Sequence, residues 1–364
     1  MTKKFSQTII DVLSDKNLLG RYVDPESFRA WFCVFRAFHS LPPAPGDEEI
    51  FKEIAGGRSW PSKPCPELWA IISVRGGKSY TQALLSVYLT AFQRYNLSAG
   101  ERAYVLVVSP TRKQSGIIKS YVSGFLNGHP VLRRMVEDET KEEIRLTNGT
   151  AISVLSSDYR SLRGFTAAAA IVDEAAFMSS DGSKPAEEVV RALRSRLLTL
   201  EGPLIVISSP HGKQGILWDT YKKHYGTDSD ILVVQAASRT MNPTLSESII
   251  KRALKEDEAA AKSDYLGLFR DDIQSCFSEE IVDDCTIRGR YELPYCPGTR
   301  YFGFVDPSGG SSDSMTLAIS HEENGVQILD CIREVKAPFQ PTEVVAEFCA
   351  ILKSYRLQSV TGDR

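Results

Sequence analysis

Short, uninterrupted apolar runs alternate with amphipathic stretches between about residues 68 and 236 of the sequence. The runs are LWAIISV (68–74), AYVLVVS (103–109), AAAAIVDE (167–174), PLIVISS (203–209) and DILVVQA (230–236). Runs of this length are typical of strands that are buried on both faces of a parallel sheet. The stretches between them, such as 78–92 and 112–126, have helical spacing. The pattern therefore predicts an α/β fold with a doubly wound, mostly parallel sheet.

One hairpin interrupts this alternation, because Asn148-Gly149 is a typical two-residue turn between EEIRL and AISVL. Residues 1–40 predict helices with an aromatic face, which we interpret as core rather than as a binding platform. Residues 246–269, rich in alanine and charge, predict further helices.

A different pattern begins at residue 301. Three β-runs with short turns (301–306, 314–320 and 326–334) precede a helix (341–355) and a last strand (358–362). We therefore expect four regions: an N-terminal helical region (1–55), the α/β domain (56–240), a helical lid or linker (241–298) and a smaller α/β domain (299–364).

Composition narrows the class of protein. The 364 residues are 42% hydrophobic and 24% charged, with a formal net charge of −3, which is typical of a globular protein and not of a polybasic nucleic-acid binder. No apolar run approaches the roughly 18 residues of a membrane span, and the N-terminus lacks a signal-peptide pattern. The seven cysteines form no C-x-x-C pair. We expect a cytoplasmic protein with reduced thiols whose metal ligands, if any, are carboxylates.

The segment SVRGGKS (73–79) links a predicted buried strand to a predicted helix, where backbone N–H groups and the positive helix end favour a bound phosphate. It resembles a phosphate-binding P-loop, although Ile72 stands where the full pattern has its first glycine. Under this hypothesis, Lys78 would contact the β- and γ-phosphates of the nucleotide, and Ser79 would bind a Mg²⁺ ion.

A second motif, IVDEAAF (171–177), places two carboxylates at the end of a strand. Asp173 is a candidate for holding Mg²⁺ through water, and Glu174 for polarising the attacking water. Beside that strand we expect VISSPHGKQG (206–215), whose Ser208 and Ser209 are candidates for sensing the γ-phosphate.

Phosphoryl transfer also requires a positively charged group beside the negative charge that develops on the phosphoryl group in the transition state. Arg75, inside the loop, would supply it in cis, whereas Arg160 or Arg163 in DYRSLRG would supply it to a neighbouring subunit. The sequence does not decide between them.

Taken together, VRGGKS, IVDEAAF, ISSPHGKQGILWDTYKKHYG, TMNPTLSESII and FVDPSGGSSDSMTLAI resemble the large terminase subunit of tailed bacteriophages and prophages, in order over about residues 70–364. The resemblance implies a P-loop ATPase that uses ATP and Mg²⁺ to translocate double-stranded DNA into the procapsid. It implies a portal protein and a small terminase subunit as partners, a homo-oligomeric ring, no membrane contact, and the cytoplasm of an infected or lysogenic bacterial host.

The same resemblance assigns individual residues. Lys78 and Ser79 match the Walker A lysine and hydroxyl, with Arg75, Gly76 and Gly77 in the nucleotide-binding loop. The Walker B pair is matched by Asp173 and Glu174, and the coupling motif by Ser208 and Ser209. Glu174, Arg75 and Arg163 are the expected catalytic residues.

The β-β-β-α-β pattern of the C-terminal region is that of a ribonuclease H-like nuclease domain, which the resemblance also implies. Asp306 and Asp363 end two strands expected to be neighbours, so they could share Mg²⁺ or Mn²⁺ ions at a phosphodiester. Because the sequence ends at Arg364, before a third acidic ligand, we expect a truncated domain with weak or absent cleavage.

Two alternatives stay open. VSPTRKQ (108–114) resembles a DNA-contact segment of helicases, which would make the chain a helicase-like, DNA-dependent ATPase. The chain could also be a non-catalytic prophage relic that binds DNA or portal without turnover.

Overall fold

The computed structural model describes residues 7–156, 164–178, 185–270, 285–287, 289–311 and 313–362. These residues form two compact units: unit 1 contains the described residues up to 270, and unit 2 contains those from 285 onward. The finer division into four regions stays a prediction. Across these ranges, no helix has both the length and the apolar character that crossing a bilayer requires.

Unit 1 is built on an eight-stranded sheet. Its strands are β1 (Glu67–Ile72), β2 (Ala103–Ser109), β3 (Val136–Glu139), β4 (Glu143–Leu146), β5 (Thr150–Ser156), β6 (Thr166–Asp173), β7 (Leu204–Ser208) and β8 (Ile231–Ala236). Their order in the sheet is β3-β4-β5-β2-β6-β7-β1-β8. The pairs from β5 to β8 are parallel, whereas β4 pairs antiparallel with β3 and with β5. The predicted mixed α/β fold with a mostly parallel sheet is confirmed.

Helices cover both faces of this sheet. They are α1 (Ile9–Ser14), α2 (Arg29–Phe38), α3 (Asp47–Ile54), α4 (Lys78–Val87), α5 (Arg112–Asn127), α6 (Pro130–Arg133), α7 (Pro185–Leu197), α8 (Gly215–His224), α9 (Ser238–Met241), α10 (Glu247–Glu256) and α11 (Glu258–Leu266). Successive residues of a strand point to opposite faces. Leu68 and Ile72 of β1 accordingly join a core with α1 to α5, and Trp69 and Ile71 join a core with α7 and α8. Burial on both faces explains why β1 is a continuous apolar run.

The N-terminal aromatic residues lie in the first of these cores. Trp31, Phe35 and Phe38 of α2 are at most 1% exposed, which confirms their interpretation as core. The helix predicted over 78–92 is α-helical as far as Val87 and continues as a π-helical turn, Tyr88–Phe92. Strand β3 was missed because its sequence, VEDE, has no alternation of apolar and polar positions.

Unit 2 contains β9 (Tyr301–Asp306), β10 (Met315–Glu323), β11 (Val326–Val335), α12 (Pro341–Ser354) and β12 (Thr361–Gly362). The sheet order is β11-β10-β9-β12, and β12 runs parallel to β9. Val344 and Phe348 of α12 pack on Leu317 and Ile319 of β10 in a core of their own. The β-β-β-α-β pattern, with the last strand beside the first, is therefore present.

Candidate nucleotide-binding site

The sheet order brings the three predicted motifs to one edge of unit 1. Strand β7 lies between β6 and β1, and all three run parallel. Their register places Ser208 opposite Ile71 of β1, and Ile207 opposite Asp173 of β6. The loops that follow these strands therefore start side by side, which is where open parallel sheets bind ligands.

The predicted phosphate loop follows β1 and ends where α4 begins at Lys78. Gly77 is the N-cap of α4 and has a left-handed backbone with φ of 80°, and Arg75 is also left-handed with φ of 62°. A Cβ on Gly76 would lie 2.5 Å from Cγ2 of Ile72, so the loop is pressed onto the end of β1. Ile72, in the place of the missing glycine, is thus a packing partner of the loop. The first N–H groups of α4 have no acceptor within the helix and point outward from its end.

Segments distant in sequence hold the loop backbone in this conformation. The N–H of Val74 donates to the carbonyl of Asp264 at 2.8 Å, and the Ser238 hydroxyl donates to the carbonyl of Val74 at 2.6 Å. The Asn242 amide donates to the carbonyl of Arg75 at 3.3 Å. A left-handed non-glycine residue costs on the order of 1 kcal/mol or more, so it persists only where such contacts enforce it.

Lys78 lies at the centre of the site, with its side chain only 10% exposed. Its Nζ donates to the carbonyls of Ile72 at 3.1 Å and Ser73 at 3.3 Å, and to the hydroxyl of Ser209 at 2.7 Å. It also forms an ion pair with Oε1 of Glu174 at 3.3 Å. The ammonium group, the Walker-B-like carboxylate and the serine after β7 are therefore in direct contact.

Glu174 is held by both serines of the VISSPHG segment. Its carboxylate accepts the Ser209 N–H at 2.7 Å, the Ser209 hydroxyl at 3.3 Å and the Ser208 hydroxyl at 3.3 Å. Its own backbone is left-handed, with φ of 49°. This turn directs Glu174 toward the serines immediately after β6. The two serines therefore fix the Glu174 carboxylate beside the end of β7.

Asp173 is almost completely buried, at 3% exposure, beside α4. Burial, and then the negative charge of Glu174, raise the pKa of Asp173 from 3.8 to about 6, while the Gln82 hydrogen bond and the charge of Lys78 oppose the rise. Gln82 Nε2 donates to Oδ1 of Asp173 at 2.6 Å. Gln82 was missed from the sequence, although it lies four residues after Lys78 and so on the same face of α4.

The remaining predicted site residues make fewer contacts within the site. The Arg75 side chain is exposed, and Ser79 is half-buried on the first turn of α4. The described residues include no hydrogen-bond partner for the Ser79 hydroxyl. Arg160 and Arg163 lie outside the described residues, so the choice between a cis and a trans arginine stays a prediction.

The predicted nuclease carboxylates belong to unit 2. Asp306 is exposed and ends β9, and β12 pairs with β9 through Thr361 and Gly362. Asp363 lies outside the described residues. No cluster of three or more His, Cys, Asp or Glu side chains in the described ranges has the arrangement of a metal site. Metal binding by Asp306 and Asp363 stays a prediction.

Comparison with solved structures identifies similar folds. The large terminase of bacteriophage HK97 matches with a TM-score of 0.54 and 16% identity, over 88% of this chain and 75% of that one. The chain has the fold of a phage large terminase. The ATPase domain of the Thermus phage P74-26 large terminase has 18% identity and a TM-score of 0.46, over 65% of this chain and 97% of that one. The large terminase of another thermophilic bacteriophage has 14% identity and a TM-score of 0.44, over 82% of this chain and 72% of that one.

Sequence comparison adds nothing to this result, since no protein-family model matches the chain and no curated protein matches it by sequence. The large terminase fold therefore rests on the structure, with its mostly parallel central sheet and a second β-sheet unit, and agrees with the resemblance found in the motifs.

Proposed function

We propose that this chain is an ATP-hydrolysing DNA-packaging motor, the large terminase subunit that translocates double-stranded DNA into a procapsid. The observation that carries the proposal is the contact of Lys78 with Glu174 and Ser209, three residues from separate motifs whose side chains meet at one sheet edge. The HK97 neighbour is a large terminase, which supports the same function.

The residues present fit a magnesium–nucleotide complex. Mg²⁺ prefers oxygen ligands, and Asp173 and Ser79 would supply a carboxylate and a hydroxyl. The raised pKa of Asp173 reflects a buried carboxylate beside the second negative charge of Glu174, an arrangement that a cation relieves. Mg²⁺, when bound, would neutralise charge on the β- and γ-phosphates.

Each side chain then has a defined task. Lys78 exchanges its contacts with Glu174 and Ser209 for phosphate oxygens, since one ammonium group cannot keep all of its present acceptors and bind the triphosphate. Glu174, released from that ion pair, orients and polarises the attacking water. Ser208 and Ser209, which hold the Glu174 carboxylate, report its position to the rest of unit 1. Arg75, a loop residue with an exposed side chain, is the cis candidate for stabilising the developing charge.

The test is the ATPase rate of the purified protein with and without linear duplex DNA, for wild type, Lys78→Ala and Glu174→Gln. We expect DNA to raise the wild-type rate. Lys78→Ala should lose nucleotide affinity, whereas Glu174→Gln should bind ATP and hydrolyse it at least about 100-fold more slowly.

Three outcomes would count against the proposal. Hydrolysis that persists in Glu174→Gln would remove Glu174 from its role. A wild-type protein that binds duplex DNA without any ATPase activity would favour the non-catalytic alternative. ATP-dependent separation of DNA strands would favour the helicase-like one.

A further inference from the structure

A tryptophan of the N-terminal helices contacts the phosphate loop directly. Trp31 of α2 is 1% exposed, and its indole Nε1–H donates to the carbonyl of Gly76 at 2.8 Å across 45 residues of sequence. Buried indole N–H groups usually find an acceptor, but this acceptor belongs to the loop that starts α4. The ring is fixed in place, stacked on Phe35 with 5.9 Å between the ring centroids.

The hydrogen bond determines which way the peptide between Gly76 and Gly77 faces. In a planar trans peptide, the C=O and the following N–H point in opposite directions. Because Trp31 holds the Gly76 carbonyl toward the core, the Gly77 N–H is turned to the other side of the loop. In the described part of the chain, that N–H has no acceptor.

The other hydrogen bonds described for the loop involve the neighbouring peptide groups, such as the Gly76 N–H to the Ser73 carbonyl at 3.4 Å and the Thr81 N–H to the Gly77 carbonyl at 2.9 Å. Gly77 is left-handed and glycine crosses freely between backbone regions, so the 76–77 peptide can flip at little cost. The indole also lies close to the next residue, since a Cβ built on Gly77 would be 3.5 Å from Nε1 of Trp31 and 4.0 Å from Oγ1 of Thr81. The indole is therefore the nearest group able to select one of the two peptide orientations.

We propose that Trp31 is a positioning residue for nucleotide binding: its indole N–H fixes the 76–77 peptide so that the Gly77 amide is presented to the phosphates of ATP. This inference rests on the proposed function, since it requires a nucleotide at the loop. It gives the N-terminal helices a role in ATP binding.

Trp31→Phe keeps an aromatic ring in the core and removes the N–H donor. We expect the dissociation constants of Mg²⁺–ATP and Mg²⁺–ADP to rise about 5-fold to 10-fold, as for one lost hydrogen bond, and KM for ATP to rise similarly. The value of kcat should change less than twofold, because Trp31 touches no reacting atom. Isothermal titration with ADP and with inorganic triphosphate would show the loss without any turnover.

Trp60→Phe is the matched control, because the Trp60 indole also donates to a backbone carbonyl, that of Leu41 at 3.0 Å, away from the loop. It should lower the melting temperature without changing nucleotide affinity. If Trp31→Phe does not fold, benzothienylalanine at position 31 keeps both rings and lacks only the N–H.

The outcomes separate the two proposals. Weaker ATP, ADP and triphosphate binding in the Trp31 variant, with unchanged affinity in Trp60→Phe, supports the inference. Wild-type affinity in the Trp31 variant overturns it, and if Lys78→Ala has lost affinity in the same titration, the proposed function survives. Absence of nucleotide binding by the wild type overturns both.

Discussion

At the scale of single residues, the candidate site holds two neighbouring carboxylates, and burying the charge of Asp173 lowers the free energy of unfolding. Its pKa is raised from 3.8 to about 6 by burial and by Glu174. Between these two pH values the folded protein keeps a proton that the unfolded chain has released. The stability contributed by that proton is fully present below about pH 4 and is lost as the pH rises through about 6.

Asp173→Asn should therefore be more stable than wild type at pH 8, by on the order of 2 kcal/mol, because the neutral amide avoids the buried charge and can still accept the Gln82 hydrogen bond. Urea denaturation without nucleotide at pH 4.5 and at pH 8 measures the difference in the free energy of unfolding. The gain should shrink toward the lower pH while Mg²⁺–ATP binding is lost at both. A variant less stable than wild type at pH 8 would show that Asp173 is not strained by burial.

At the scale of elements, the phosphate loop is held by α9 and α11, whose Ser238 and Asp264 contact Val74 across 164 and 190 residues of sequence. Ser238→Ala removes a completely buried hydroxyl that donates to the Val74 carbonyl. We expect a loss of about 1–2 kcal/mol in the free energy of unfolding and a several-fold weaker affinity for ATP, because the left-handed conformation of Arg75 is then less firmly enforced. Calorimetric melting and nucleotide titration measure the two effects.

Ser195→Ala is the control for that change, since the Ser195 hydroxyl also donates to a backbone carbonyl, that of Ala192 at 2.7 Å, but on an exposed face of α7. Its free energy of unfolding should stay within about 0.5 kcal/mol of wild type. Equal effects of the two substitutions would contradict the role assigned to the Ser238 contact.

Elements were the level at which sequence was most informative. Apolar runs locate β1, β2, β6, β7 and β8 because burial on both faces leaves a local, continuous signal. Lys78 and Glu174 could be paired because both follow such strands. Trp31 and Ser238 could not be connected to the loop, since a core aromatic and a turn serine have no pattern that names a partner 45 or 164 residues away. Gln82 was also missed, but the sequence did contain a signal for it, because a spacing of four residues places it on the same helix face as Lys78.

At the scale of the whole molecule, the two units have separate hydrophobic cores, and the candidate nucleotide site lies within the described residues of unit 1. A ligand that binds only the folded state stabilises it by about 2.7 kcal/mol at 100 times its dissociation constant. We therefore expect two calorimetric transitions, of which Mg²⁺–ADP raises only the one that belongs to unit 1.

Phe348→Ala should shift the other transition. Phe348 is 2% exposed in the core of unit 2, and its truncation should cost about 3–5 kcal/mol there. The ADP-responsive transition and the affinity for ADP should stay at wild-type values, whereas Phe35→Ala, in the first core of unit 1, should lower the ADP-responsive transition instead. A single transition that both ADP and Phe348→Ala displace would mean that the units unfold together, and the site's stability would then depend on unit 2 as well.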